Sequence, residues 1–277
     1  MTIRHGRFLL AALLLFSISC GSSSPAPAPT PTTTGIAVNS SGSQVFLGAS
    51  EVFTATATLS NGTNTAVSSG TWSSDAPNVA PVDGTGRVSG SASGSANISV
   101  DYQGKRGTKA IRVVPNYQGG WVGAYTVGSC TDTLQFLTTS FCNTVFPVSS
   151  VLPFGFAFSQ TGTTLSGSTH LGGIASNFAT APVQNDGSVQ LPAVAIFGTT
   201  TFTETWNFNM PQPGRIAGTL HLVVTDSVVT GSSTMDATLS NTTPQSLART
   251  LGIKGVRAPD AAFSVRALLE LLGRSLD

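Results

Sequence analysis

Among the positions able to do chemistry, one acidic residue stands apart. Glu204 lies in the run Phe202-Thr203-Glu204-Thr205-Trp206-Asn207-Phe208, in step with Phe202, Trp206 and Phe208. A period of two places those four side chains on one face of a strand. A carboxylate on an apolar face is costly unless paired, and Arg215 is the cation at hand. A bulge or an edge position would instead turn Glu204 to water. Facing a cavity, Glu204 is a candidate ligand contact together with Trp121, Tyr125 and Trp206. Other chemistry-bearing residues are few. His5 lies in the N-terminal leader, and His170 and His221 fall opposite the apolar phase of their strands, toward solvent. Serines are so numerous that a Ser-His-Asp set can be assembled on paper, yet there is no Gly-x-Ser-x-Gly elbow and no HExxH helix. Glu204, His221 and Asp226 lack the spacing of a metal site. The expectation is a chain that is not an enzyme, with no catalytic residue, no metal and no cofactor. An envelope hydrolase is the alternative.

The bulk composition narrows the classes further. With 13 Lys+Arg against 12 Asp+Glu and only 9% charged residues over 277, the net charge is +1 and there is no basic field to attract nucleic acid. That length suits about two domains. A 40% apolar share suffices for a core, and the abundance of Ser, Thr, Gly and Val with 15 Phe is that of short half-buried strands joined by turns.

Arg4, His5 and Arg7 precede the apolar run Phe8–Ile18. That run is far short of the ~20 residues a spanning helix needs. A basic start, a short apolar segment and small residues at its end make residues 1–19 a secretory signal. Ser17-Ile18-Ser19-Cys20 resembles the lipobox of bacterial lipoproteins, with Ser17 standing where Leu is usual. The resemblance implies that Cys20 receives a diacylglyceryl group and becomes the first mature residue, anchored in a membrane. Ordinary cleavage after Ser19 is the competing reading and would leave a free thiol at an exposed terminus. Gly21 rather than Asp follows Cys20, as in lipoproteins not retained at the inner membrane, which implies the outer membrane. Residues 20–34, rich in Pro, Ser and Thr, read as an extended tether. With Cys20 given to the anchor, Cys130 and Cys142 remain, and an oxidising compartment favours a disulfide between them. Such a bridge stabilises by roughly 3 kcal/mol in the loop-entropy description.

Residues 35–115 alternate in strand fashion through Phe53–Leu59, Ala96–Tyr102 and Lys109–Val114, with turns at Asn61-Gly62, Asp83-Gly84 and Gln103-Gly104. The ordered series Gly35–Val38, Gly48, Phe53–Ala57, Thr71–Ser74, Val79–Val82, Gly86–Gly90 and Gly94–Ile98 resembles the bacterial Ig-like domain of group 2. The resemblance implies an Ig-like sandwich of about seven strands with Trp72 in its core, serving as spacer or adhesive module.

Residues 116–243 carry further alternating segments, among them Trp121–Val127, Pro153–Ser159, Leu165–Leu171, Phe202–Phe208, Ile216–Val224 and Met235–Leu239. Joined by short turns, they predict an antiparallel up-and-down barrel of about eight strands, with an interior filled by side chains or one small ligand. An open sandwich is the alternative. Gly119-Gly120-Trp121 resembles the first strand of lipocalin-type barrels. The tail, 244–277, predicts an amphipathic helix over 260–272, with Val265, Leu268, Leu269 and Leu272 as its apolar stripe. The whole is all-β: an Ig-like sandwich, then a barrel, then a short C-terminal helix. The function expected is that of an exported, lipid-anchored envelope lipoprotein whose Ig-like spacer presents a binding or adhesion module. Its partners would be the membrane through the lipid, and a small apolar ligand, a glycan or a surface protein, but not nucleic acid. The alternative is an envelope enzyme acting on a small or glycan substrate.

Overall fold

The computed structural model describes residues 28–134, 141–171 and 174–244. The expected secretory signal, Cys20 and the helix expected at 260–272 lie outside them. Within them the chain is all-β, with one short helix.

The N-terminal domain is a sandwich of strand segments. One sheet has the order β1 (Thr33–Asn39), β4 (Thr54–Leu59), β5 (Asn64–Ala66). The facing sheet has the order β2 (Gln44–Phe46), β9 (Lys105–Val114), β8 (Gly94–Tyr102), β6 (Thr71–Ser74). A two-stranded ribbon of β3 (Ser50–Val52) and β7 (Arg87–Ser89) closes one side. The period-two pattern of β4 and β8 places Ala55, Ala57, Ala96, Ile98 and Val100 inside, where they join Phe53, Val88, Ile111 and Val113. The segments number nine rather than seven, because turns at Leu47–Ala49 and a break at Phe53 cut the second quarter of the sheet into pieces. Trp72 is partly buried and packs against this core, its ring lying over Gly86, where any Cβ would meet it at 2.9 Å and the Phe53 carbonyl at 2.5 Å. Phe53, 1% exposed, is the more deeply buried of the two rings.

The second domain is a closed antiparallel barrel in sequence order, which decides between barrel and open sandwich. Its strands are β10 (Gly119–Asp132), β11 (Val151–Thr161), β12 (Thr164–Leu171), β13 (Ile174–Pro182), β14 (Val189–Phe197), β15 (Thr200–Gln212), β16 (Arg215–Asp226) and β17 (Ser232–Pro244). Pairing of β17 with β10 from Trp121–Pro244 to Asp132–Ser233 completes the cylinder, which has no free sheet edge. The seam between β13 and β14 is thin: among the described residues Asn177 opposite Val194 is its ladder pair, with a bridge between Val183 and Val189. Pro192, in the middle of β14, has no N–H to contribute. The outer face of β14 carries Val194 and Ile196, 46% and 68% exposed.

The barrel is capped at both ends. At its near end Pro115–Gln118 leads out of β9, and the barrel's hairpin turns press on the first domain. Arg112 Nη2 donates to the Val183 carbonyl at 2.8 Å, Ser95 Oγ to Asn185 Oδ1 at 2.8 Å, and Tyr117 Oη to the Gly187 carbonyl at 2.8 Å. Gln160 stitches the linker, accepting from Tyr117 N at 2.7 Å and donating to the Pro115 carbonyl at 3.0 Å. At the far end Cys130, late in β10, is disulfide-bonded to Cys142 in α1 (Phe141–Thr144). The bridge holds Phe141, Val145 and Phe146 down into the same core. A four-residue helix there is invisible to periodicity, since it is shorter than one amphipathic repeat.

Gly167 shows how tightly the wall is built. Its φ is +141°, and a Cβ there would stand 1.9 Å from the Ala157 carbonyl oxygen of the neighbouring β11. Gly167→Ala should therefore cost about 2–4 kcal/mol through backbone strain and displacement of β11. Chemical denaturation of the pure variant checks this, and an unchanged midpoint would contradict the pairing of Gly167 with Phe158 across β11 and β12.

Candidate functional site

Glu204 does point inward. It is 0% exposed, opposite Ala193 of β14 and Leu222 of β16, both also buried. Its carboxylate accepts three hydrogen bonds: Thr169 Oγ1 to Oε2 at 2.5 Å, Trp206 Nε1 to Oε2 at 2.7 Å and Ser176 Oγ to Oε1 at 2.6 Å. Thr169 and Ser176 face one another across β12 and β13. The carboxylate thus crosses the lumen and ties β15 to that pair. Charge-assisted bonds to a carboxylate are about twice as strong as neutral ones. Arg215 takes no part. It is exposed beside the β15–β16 turn, so the expected ion pair is replaced by neutral donors. Period-two reasoning carries Thr169, in phase with Leu165 and Leu171, and Ser176, in phase with Phe178, to the inner face, but nothing local marks them as partners of a residue 35 and 28 positions away.

The other three candidate ligand contacts lie in the same interior. Trp121 donates its indole N–H to the Tyr117 carbonyl at 2.7 Å. Tyr125 packs 6.4 Å from Phe154 between ring centroids, and burial, with the nearby Glu204 carboxyl adding, pushes its phenol well above the usual range. Trp206 meets Phe154 at 5.3 Å and Phe156 at 4.9 Å. From there Phe156 stacks on Phe158 at 4.7 Å and on Phe208 at 5.4 Å, and Phe208 meets the edge of Tyr117 at 5.4 Å. Rings from β11 and β15 therefore meet across the lumen and run to the near end. Trp121, Tyr125, Glu204 and Trp206 are at most 2% exposed, and the polar groups of Trp121, Glu204 and Trp206 are spent inside the barrel.

His170 and His221 lie outside. Ser168 Oγ stands 3.1 Å from His170 Nε2. His221 Nδ1 contacts Asp236 Oδ1 at 2.7 Å, and Ser129 Oγ donates to Asp236 Oδ2 at 3.1 Å. The imidazole contact holds the Asp236 carboxyl below its ordinary value, helped by Ser129. With His221 outward and Glu204 inward, the two cannot share a ligand. Among the described residues no cluster of His, Cys, Asp or Glu has metal-binding geometry.

Asp226 anchors the far end instead. Burial works against its charge, but the amides of Val228 and Val229 and the hydroxyls of Thr199 and Thr200 outweigh it and hold the carboxyl well below its ordinary 3.8. A depressed folded-state value contributes stability above the unfolded value and loses it as the pH falls through the folded one. Asp226→Asn should therefore be less stable than wild type at neutral pH, with the gap shrinking as the pH drops below about 4, the usual range for an unperturbed Asp. A gap that widens in acid would overturn this assignment. For Glu204, replacement by Leu leaves the Trp206 N–H with no acceptor, and should cost about 2–4 kcal/mol in urea denaturation. Glu204→Gln keeps an acceptor for Trp206 and should cost less. Equal losses would show that the indole bond carries no weight.

No curated protein shows a significant match to the chain. Residues 32–113, the sandwich of β1–β9, match the family model of the bacterial Ig-like domain (group 2).

Proposed function

We propose that the chain is a lipid-anchored lipoprotein of the bacterial cell envelope, in which the Ig-like domain is a spacer that presents the barrel as a binding or adhesion module. The observation that carries this reading is the division of polarity across the barrel wall. Inward positions are mostly apolar and aromatic, with the Glu204, Thr169 and Ser176 set as a polar exception, whereas the outward positions of β15 and β16 include Thr203, Thr205, Asn207, Asn209, Thr219, His221 and Thr225. Exposed apolar side chains such as Val194 and Ile196 are the minority. A barrel crossing hydrocarbon has the opposite arrangement, with an apolar band outside. This barrel is built to stand in water. Its attachment to a membrane then falls to Cys20, ahead of the tether.

The reading assigns Glu204 to holding the barrel's shape. A general acid or base must reach a substrate atom, and this carboxylate already accepts from three donors in a sealed interior. Binding is therefore assigned to the outer surface, and the exported, outer-membrane address follows from the leader and from Gly21 after Cys20.

Globomycin, which blocks lipoprotein signal cleavage, should make the uncleaved precursor accumulate, and Cys20→Ala should move the protein from the detergent phase to the aqueous phase on Triton X-114 partitioning. Wild type that stays aqueous, with no precursor accumulating, would rule out the anchor.

A further inference from the structure

On the outer wall, near the end that abuts the Ig-like domain, β14, β15 and β16 form a groove of about 500 Å³. Its lining carries four amide side chains, Gln184, Gln190, Asn207 and Asn209. Gln190 stands directly opposite Asn207 across β14 and β15, and Asn209 stands opposite Ala217 across β15 and β16. Among the described residues none of the four side chains has a hydrogen-bond partner within the protein. Gly218, opposite Phe208 in the groove lining, has no room for a side chain, since a Cβ would stand 2.1 Å from the Asn207 carbonyl oxygen. The β15–β16 pairing is irregular between Asn209 and Gln212, and the β16–β17 pairing between Ile216 and Thr219.

We infer that this groove is a binding site for a neutral oligosaccharide, an inference that rests on the reading of the barrel as a binding module. Each amide offers an acceptor and two donors. A sugar presents vicinal hydroxyls that both donate and accept, so amides on neighbouring strands can each engage a hydroxyl pair. The lining contains no charged side chain, which disfavours an anionic or cationic ligand. Protein partners are held by aromatic or arginine anchors seated in pockets. Here Phe208 and Val189 are buried and turned into the core, and the groove offers no apolar pocket to receive an anchor. The volume lies within the ~300–1,000 Å³ of small-molecule sites, enough for a short oligosaccharide. Three of the amides, Gln190, Asn207 and Asn209, stand on paired strands, which hold them more rigidly than loops would, and Gln184 lies in the adjoining β13–β14 turn.

The test uses the full-length protein in detergent micelles against immobilised cello-, chito-, manno- and galacto-oligosaccharides, with acidic glycans and extended peptides as comparison probes. Wild type is expected to retain at least one neutral oligosaccharide. The double substitution Gln190→Ala, Asn207→Ala removes two amides whose side chains support nothing else. It should weaken that binding about tenfold, since each net hydrogen bond contributes about 0.5–1.5 kcal/mol, with circular dichroism and thermal midpoint unchanged. Ala217→Trp, which fills the groove, should abolish it. Retention that survives both variants, retention of acidic glycans or peptides alone, or no retention of any neutral probe would each overturn the inference. Membrane partitioning of the same preparations reads the anchor separately, so an anchored protein that ignores every sugar condemns the groove and not the lipoprotein reading.

Discussion

The barrel depends on a carboxylate held in its lumen by neutral donors. Closing eight strands into a cylinder requires the interior to be filled, and here two materials fill it. Stacked rings from β11 and β15 supply apolar area. Glu204 supplies direction, because its bonds to Thr169, Ser176 and Trp206 are satisfied in one register only. Slipping β15 by one residue would put Glu204 in water and Thr203 or Thr205 inside. A buried polar network of this kind is worth having only when complete, since each unpaired member costs more than its bond returns. Neutral donors satisfy the carboxyl oxygens without bringing an arginine side chain into the lumen.

Much of the architecture is written locally. Strand phase, turn residues and the ordered Ig-like series give the sandwich, and they put Glu204 on the inner face of β15. The same phase puts His170 and His221 outside. What could not be read has a common physical cause: it lies in contacts distant in sequence. Arg215 is near Glu204 along the chain and far from it in space, because β15 runs on to its turn before Arg215 begins β16. Thr169 and Ser176 are ordinary alternating positions until the barrel closes and brings them under the carboxylate. Trp72 is expected at the sandwich core and packs against it, but the space its ring takes over Gly86 is set by a residue fourteen positions away. Gln190, Asn207 and Asn209 are outward-phase residues like any others, and only the pairing of β14, β15 and β16 brings them to one groove.

The junction between the domains is more than a linker. Tyr117 links three parts at once: its amide meets Gln160, its carbonyl accepts from Trp121 and its hydroxyl reaches Gly187. Burial raises the phenol well above its usual range, so it remains a neutral donor. Gly187 itself is packed against Ser93 and Pro115. The ring of Tyr117 is thus the last member of the aromatic column in the lumen and the first contact with the sandwich.

The thin seam between β13 and β14 gives the cylinder a direction of weakness. A tube with uniform walls resists deformation equally on all sides, but one with a single lightly stitched line behaves as a rolled sheet. The carboxylate tie between β15 and β12–β13 spans that line, so its two sides are joined through the lumen as well as along the wall. Where the backbone ladder is sparse, the strap across it is made of side chains.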